Sequence, residues 1–289
     1  MTEWFEEAQT PDMRLQLRHS RVLYHARSPY QDIAIYETAQ FGRMLALDDV
    51  VMVTEADEFA YHEMLVHPAL LACPCPRRVL VVGGGDGGAV RETLRHGSVE
   101  EVVLAELDGA VVEACRAHLP ATAAALDDPR VTVQTGDGAA LVAAAPDGRW
   151  DAVIVDAPDP VGHASVLFGE AFYEDCRRTL APDGVLAVQS DSPYIMPSTV
   201  AGAVHALEDR FPAVGVCWAV VPTYAGNLWT FTVATLGSDP SAPPDSERAA
   251  ELQECRYWSP ALHQSAFVLP AFVERQLAVP AETGGPGRT

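Results

Sequence analysis

The spacing of hydrophobic positions changes along the chain, and the change divides the sequence into two parts. Between residues 22 and 54, short apolar runs alternate with polar residues. This pattern predicts a small antiparallel sheet. Residues 58–71 then carry apolar side chains at helical spacing, so we predict a helix there, with Tyr61 and His62 near its start.

After a proline-rich stretch, buried apolar runs alternate with helical stretches. The predicted strands are residues 79–82, 102–105, 131–133, 152–155 and 185–188, with a further strand pair at 214–221 and 228–234. This alternation predicts an α/β fold with a Rossmann-like, doubly wound, mainly parallel sheet, whose ligands bind outside the carboxyl ends of the strands. We therefore divide the chain into residues 1–70, an N-terminal β-hairpin domain with a linking helix, and residues 71–289, the Rossmann-like domain.

The charge balance restricts the possible partners. The 289 residues include 19 arginines, no lysine and 40 acidic residues, for a net charge of −21. Such a chain repels nucleic acid and anionic lipid but attracts a small cation. Schiff-base chemistry, which needs a lysine, is excluded. No apolar run is long enough to span a membrane, the charged first twenty residues lack the apolar segment typical of a secretory signal, and the six cysteines lack zinc-site spacing. We expect a cytoplasmic protein without a membrane partner or metal.

A glycine-rich motif follows the first strand of the Rossmann-like domain. Residues 83–88 read GGGDGG and satisfy the G-x-G-x-x-G pattern, which fits NAD and AdoMet enzymes about equally. Glu106, at the end of the next strand, can accept the hydroxyls of an adenosine ribose. Asp86 would repel a pyrophosphate, so the turn favours a cationic nucleoside such as a sulfonium. The alternative is that Asp86 only caps the following helix.

Two carboxylates, Asp156 and Asp159, lie in a proline-stiffened loop at the end of the fourth strand. Such a pair suits the binding and deprotonation of an alkylammonium group, although aspartates also serve there simply as turn formers. Other polar side chains are expected at the same sheet edge or on the linking helix: Asp137, Gln189, Tyr61 and His62.

Together, these motifs resemble the polyamine aminopropyltransferases, the spermidine synthase family, over nearly the whole chain. The most specific stretches are GGGDGG at 83–88, DAPDP at 156–160 and YHEM at 61–64. The resemblance implies transfer of an aminopropyl group from decarboxylated S-adenosylmethionine, a co-substrate rather than a prosthetic group, to putrescine or a related polyamine. The products would be spermidine or an analogue and 5′-methylthioadenosine. It also implies a homodimer or homotetramer built partly through the N-terminal sheet.

The resemblance also implies residue roles. Asp156 would be the base that accepts the amine proton, with Tyr61 orienting the amine. Asp86 would bind the ammonium group of the donor's aminopropyl arm with the help of His62. The residues implied in donor binding are Gln31, Gly83, Gly85, Asp86, Glu106, Asp137 and Gly138. Those implied around the acceptor are Tyr61, His62, Asp159, Gln189 and Tyr224.

Three single positions and the segment of residues 190–193 depart from the family pattern. Asp49, Met52 and His163 stand where the family usually has Gly, Gln and Pro. These changes leave open the identity of the acceptor amine and, to a lesser extent, the identity of the donor. Two alternatives therefore remain: an S-adenosylmethionine-dependent N-methyltransferase of specialised metabolism on the same scaffold, and a non-catalytic polyamine or nucleoside binder.

Overall fold

The computed structural model of the chain describes residues 3–158 and 162–279. Within these ranges the strands form a five-stranded and a seven-stranded sheet, as the change in hydrophobic spacing predicts. No helix in the described ranges is both long and apolar enough to cross a membrane.

The five-stranded sheet is antiparallel, with its strands in chain order. Its strands are β1 (Glu3–Thr10), β2 (Met13–Arg27), β3 (Asp32–Thr38), β4 (Gly42–Leu47) and β5 (Val50–Thr54). The sheet thus begins well before residue 22, where the hydrophobic pattern placed its start. On β1 the inward-facing side chains are Phe5, Glu7 and Gln9. Because two of the three are polar, the strand carries little hydrophobic alternation.

The seven-stranded sheet confirms the predicted Rossmann-like architecture. Its strands are β6 (Arg78–Gly83), β7 (Glu101–Glu106), β8 (Val131–Thr135), β9 (Trp150–Asp156), β10 (Leu180–Gln189), β11 (Ala213–Val220) and β12 (Leu228–Thr235). Their order is β11-β12-β10-β9-β6-β7-β8. The five strands from β10 to β8 are parallel; β12 pairs antiparallel with β10, and the edge strand β11 pairs antiparallel with β12. The central strands are buried on both faces, which explains their continuous apolar runs.

Helices cover the larger sheet. They are α1 (Glu58–Ala72), α2 (Gly88–Leu94), α3 (Gly109–His118), α4 (Pro120–Ala123), α5 (Gly138–Ala144), α6 (Glu170–Thr179), α7 (Pro197–Glu208), α8 (Ser246–Ala250), α9 (Pro260–Ala266) and α10 (Ala271–Leu277). Helix α1, predicted over 58–71, packs against α2 and against β9 to β12. It is buried along almost its whole length, so its polar side chains are held firmly by their surroundings. The division of the chain after residue 70 stays a prediction.

The strand order determines where a ligand can bind. From β6 the chain moves to β7 and β8 on one side, and then returns to β9 and β10 on the other. The neighbouring strands β6 and β9 therefore form the topological switch point, where open α/β sheets bind their ligands. At their carboxyl ends Gly83 lies directly opposite Asp156.

Candidate active site

A glycine-rich turn connects β6 to α2 at this switch point. Gly83 and Gly84 have φ angles of 78° and 71°, which residues with side chains rarely adopt. A Cβ on Gly83 would lie 2.3 Å from the carbonyl oxygen of Asp156, and one on Gly84 would lie 2.7 Å from Oδ2 of Asp156. The glycines thus let the turn and the end of β9 come together. A Cβ on Gly85 would instead lie 3.1 Å from Oε2 of Glu106.

The end of β7 holds two carboxylates beside the turn. The Glu106 side chain accepts a hydrogen bond of 2.9 Å from the backbone N–H of Asp108, and its burial raises its pKa to about 7. Oδ2 of Asp108 accepts hydrogen bonds from Gln31 at 3.0 Å and from Ser28 at 2.6 Å. These contacts hold the loop between β2 and β3 against the larger sheet. Gln31 therefore reaches the same sheet edge as Glu106.

Asp137 and Gly138 lie where β8 ends and α5 begins. Oδ1 of Asp137 caps α5 by accepting hydrogen bonds of 2.8 and 3.2 Å from the N–H groups of Ala139 and Ala140. A Cβ on Gly138 would lie 2.6 Å from Cγ1 of Val82, so this glycine permits close packing of the helix on β6. Both residues have a local structural role at the predicted edge.

His62 lies among three carboxylates. Its Nε2 is 3.5 Å from Oδ1 of Asp86 and 3.9 Å from Oδ2 of Asp156, and its Nδ1 is 2.7 Å from Oε2 of Glu58. Burial alone would lower the pKa of His62, but these carboxylates outweigh it and raise the pKa to about 9. The imidazole is therefore protonated at neutral pH. Asp86 also accepts a hydrogen bond of 2.9 Å from the N–H of Gly88, the first residue of α2, although the N-cap of this helix is Gly87 and not Asp86.

Tyr61 and Asp156 form the centre of the site. The Tyr61 hydroxyl donates a hydrogen bond of 2.7 Å to Oδ1 of Asp156. Oδ2 of Asp156 is buried and has no hydrogen-bond partner within the described ranges. Burial raises the pKa of Asp156 to about 6, even though His62 and Tyr61 favour the ionised carboxylate. A buried oxygen without a donor can bind an ammonium group and accept its proton.

Glu58 links His62 to Arg91 through a second ion pair. The two terminal guanidinium nitrogens of Arg91 donate to Glu58, at 2.9 and 2.8 Å. Glu58 in turn binds His62, four residues later on α1. Glu58 and Arg91 are site residues that the sequence motifs do not predict. The i,i+4 spacing of Glu58 and His62 was the available signal, but the partner on α2 could not be deduced from it.

The polar groups of Gln189 and Tyr224 form hydrogen bonds with backbone atoms. The Gln189 amide donates to the carbonyl of Ala157 at 3.0 Å and accepts from the N–H of Asp191 at 3.0 Å. The Tyr224 hydroxyl donates to the carbonyl of Met52. Its ring lies 5.5 Å from the ring of Tyr61 in an edge-on arrangement. Tyr224 is therefore next to the central pair, and Gln189 holds the chain just after Asp156.

Two of the positions that depart from the family pattern, Asp49 and Met52, lie within the described part of the five-stranded sheet and its turns. Asp49 has a φ angle of 60° in the exposed turn between β4 and β5, a conformation that favours glycine. Met52 contacts Tyr224 through its backbone carbonyl. Asp159 lies outside the described residues, and so does the side chain of His163.

Two family models match the chain. A spermine/spermidine synthase domain matches residues 58–239, which include the turn, α1 and the strand that ends at Asp156. A spermidine synthase tetramerisation domain matches residues 3–55, the five-stranded sheet.

Individual relatives agree with the family models. The chain is 42% identical over 280 residues to a polyamine aminopropyltransferase of Moorella thermoacetica, covering 96% of this chain and 98% of the relative. It is 43% identical over 274 residues to that of Thermoanaerobacter sp. strain X514, covering 95% and 98%.

Solved structures of spermidine synthases are similar as well. One, in complex with the transition-state analogue AdoDATO, superposes with a TM-score of 0.92 at 37% identity and covers 95% of this chain and 94% of its own. The enzyme from Thermotoga maritima gives a TM-score of 0.89 at 35% identity with the same coverage. The fold, the site and these similarities together establish that the chain belongs to the spermine/spermidine synthase family of polyamine aminopropyltransferases.

Proposed function

We propose that this chain transfers an aminopropyl group from decarboxylated S-adenosylmethionine to putrescine or a related polyamine, releasing 5′-methylthioadenosine. The observation that carries the proposal is the pairing of Tyr61 with Asp156, which leaves a buried Oδ2 free to receive an amine. The relatives' name, polyamine aminopropyltransferase, and the AdoDATO complex of a similar structure support the same reaction.

The nucleoside of the donor would bind along the ends of β6, β7 and β8. Glu106 would accept the ribose hydroxyls, and the turn at Gly83 and Gly85 lets the nucleoside approach the backbone. Gln31 reaches this edge through its contact with Asp108. Asp137 and Gly138, at the end of β8, would border the adenine.

Asp86 would bind the ammonium group at the end of the donor's aminopropyl arm. Intact S-adenosylmethionine carries a carboxylate on that arm, which Asp86 and Asp156 would repel. Arg91, which approaches this region through its contact with Glu58, is occupied by two carboxylates, Glu58 and Glu92. The charge around the turn therefore favours the decarboxylated donor.

The acceptor amine has an ordinary pKa of about 10, like a lysine side chain, and arrives protonated. Oδ2 of Asp156 would take its proton, while the Tyr61 hydroxyl holds Oδ1. The freed nitrogen then attacks the aminopropyl carbon bonded to the sulfonium. As the new C–N bond forms, the C–S bond breaks and its electron pair stays on sulfur, which leaves as the neutral thioether 5′-methylthioadenosine.

His62 would act as a positioning residue rather than as a direct substrate contact. Its side chain is 3% exposed and its nitrogens face Glu58, Asp86 and Asp156. A protonated imidazole would repel an ammonium group but stabilises neighbouring carboxylates in their ionised form.

The outer part of the acceptor pocket would be formed by Asp159, Gln189 and Tyr224. The five-stranded sheet, which matches a tetramerisation domain, would join the subunits of a homo-oligomer.

Mass spectrometry of the reaction products tests the proposal. The full-length enzyme is incubated with either donor and, in separate reactions, with putrescine, cadaverine, agmatine or spermidine. We expect 5′-methylthioadenosine and an amine heavier by one aminopropyl unit, and only with the decarboxylated donor. Formation of S-adenosylhomocysteine and a methylated amine would instead identify an N-methyltransferase, and binding without turnover of any pair would identify a binding protein.

A further inference from the structure

A second cluster of ligating side chains lies away from Tyr61 and Asp156. It is formed by His67 on α1, Glu92 on α2 and Cys255 in the segment after α8. One ligand atom from each of the three lies within 4.8 Å of the other two. His67 and Glu92 are 0% and 1% exposed. We propose that these three side chains bind a zinc ion, which joins the C-terminal segment to α1 and α2.

Two potential ligand atoms lie close to Nε2 of His67, and a single proton on that nitrogen cannot hydrogen-bond well to both. Nε2 of His67 is 3.1 Å from Oε2 of Glu92 and 3.2 Å from Sγ of Cys255. A single ring nitrogen carries at most one proton and can make one straight hydrogen bond with it. A metal ion between the three groups accepts a lone pair from each. Around a tetrahedral zinc the donor atoms would be about 3.3–3.6 Å apart. The two separations from Nε2 of His67 therefore need to lengthen by only a few tenths of an ångström, and the Glu92 and Cys255 donor atoms lie within 4.8 Å of each other.

His67 is also oriented in the manner of a metal ligand. Its other ring nitrogen, Nδ1, lies 3.1 Å from Nε2 of His96, which is itself buried. Metal-binding histidines usually donate this second N–H to a neighbouring group, which fixes the ring and its tautomer. When Nδ1 of His67 donates its proton to His96, Nε2 of His67 carries no proton and can bind the ion.

The backbone around Cys255 is held in place from α1. The carboxylate of Glu63 accepts hydrogen bonds of 2.7–2.8 Å from the N–H groups of Arg256, Tyr257 and Trp258. Glu63 precedes His67 by one helical turn, so the same helix face fixes the thiol and supplies the histidine. Cys255 also lines a surface cavity of about 510 Å³, so solvent reaches the cluster's thiol side, from which a fourth ligand could come.

The donor types select the metal. A thiolate with an imidazole and a carboxylate suits zinc, whereas magnesium and calcium require oxygen ligands. The thiol of Cys255 must release its proton to bind, and the thiolate then faces the ion together with the Glu92 carboxylate, which also pairs with Arg91 at 2.7 Å and lies 3.5 Å from Arg95. The sequence shows no zinc motif because the ligands come from three distant segments.

A zinc titration of the intact protein tests the proposal. The protein is stripped with a chelator, exchanged into chelator-free buffer and titrated with zinc chloride against a chromophoric indicator. We expect one saturable zinc per chain and a loss of affinity of about 100-fold or more in Cys255→Ala, since removing a ligand should cost at least as much as removing a supporting group. The exposed Cys75 gives a matched control, because Cys75→Ala should bind zinc like the parent protein.

Two further measurements keep the outcome decisive. Cobalt in place of zinc should give a sulfur-to-metal charge-transfer band in the unaltered protein, which depends on no variant folding correctly. Asp86→Asn separates this cluster from the acidic group around His62 and should leave zinc binding unchanged. The proposal is overturned if zinc does not saturate at one per chain, if cobalt gives no such band, or if Cys255→Ala binds as tightly as Cys75→Ala.

Discussion

At the residue scale, the ionisation of His62 and Asp156 is the main determinant of the site's chemistry. Burial raises the pKa of Asp156 to about 6, while the surrounding carboxylates raise that of His62 to about 9. Between these values the site contains an ionised base and a protonated imidazole beside it. The proposed mechanism requires this combination of charges.

The first prediction concerns pH. Asp156 must be ionised to accept a proton, so kcat should fall as the pH decreases through about 6. Replacing His62 with Gln removes the positive charge that favours the ionised carboxylate, and the acid limb should then move to higher pH by about one unit or more. Rate profiles from pH 5 to 9, with circular dichroism to confirm folding, test both effects. An unchanged acid limb in His62→Gln would contradict the positioning role.

The second prediction concerns Gly84. In Gly84→Ala the new methyl group would meet Oδ2 of Asp156 at 2.7 Å with a positive φ angle, so it should displace the proposed base and reduce kcat by about tenfold or more. Gly202 in α7 is the matched control, because a Cβ there meets nothing within 4 Å. Gly202→Ala should leave kcat unchanged and stabilise the fold by about 0.4–1 kcal/mol. Steady-state kinetics and urea unfolding of both variants distinguish these outcomes.

At the scale of elements, α1 connects the parts of the molecule. It carries Tyr61 and His62 at one end, and Glu63 holds the backbone of the segment before α9. Since this carboxylate accepts three backbone N–H groups and is 1% exposed, its loss leaves buried donors unsatisfied.

The third prediction follows from that contact. Glu63→Gln places an amide against three N–H donors and should lower the free energy of unfolding by about 2–4 kcal/mol. Glu113→Gln, an exposed change on α3, should stay within about 0.5 kcal/mol of the parent. Urea unfolding followed by circular dichroism compares the two. Equal stabilities would show that Glu63 does not anchor the C-terminal segment.

The same elements explain how far sequence reasoning reached. The strands β6, β7, β9 and β10 are predictable because burial on both faces requires continuous apolar runs, whereas the edge strand β8 shows only two partly buried valines. Asp156 and the glycine-rich turn were predictable because they immediately follow such strands. The start of β1 was not, since Glu7 and Gln9 occupy its inward face. Contacts such as Glu58 with Arg91 join segments far apart in the chain, and no local pattern encodes them.

At the scale of the whole molecule, the net charge of −21 should attract the proposed cationic substrates. The fourth prediction is that the KM for the amine rises several-fold as salt increases from about 20 to about 200 mM, because salt screens this field. The effect should be larger for spermidine than for putrescine if both are used, since spermidine carries more charge. Initial rates at a fixed donor concentration measure the KM for the amine at each salt concentration. A KM independent of salt would show that the net charge does not attract the substrate.

The most direct test of the account is product formation by Asp156→Asn. The asparagine keeps the shape of the side chain but cannot take the amine proton, so turnover of decarboxylated S-adenosylmethionine with the preferred amine should fall by about 100-fold or more. Binding of 5′-methylthioadenosine, measured by calorimetry, should stay close to that of the parent. Asp183→Asn, at an exposed carboxylate near the start of β10, should behave like the parent in both assays. Full turnover by Asp156→Asn would contradict the assignment of Asp156 as the base.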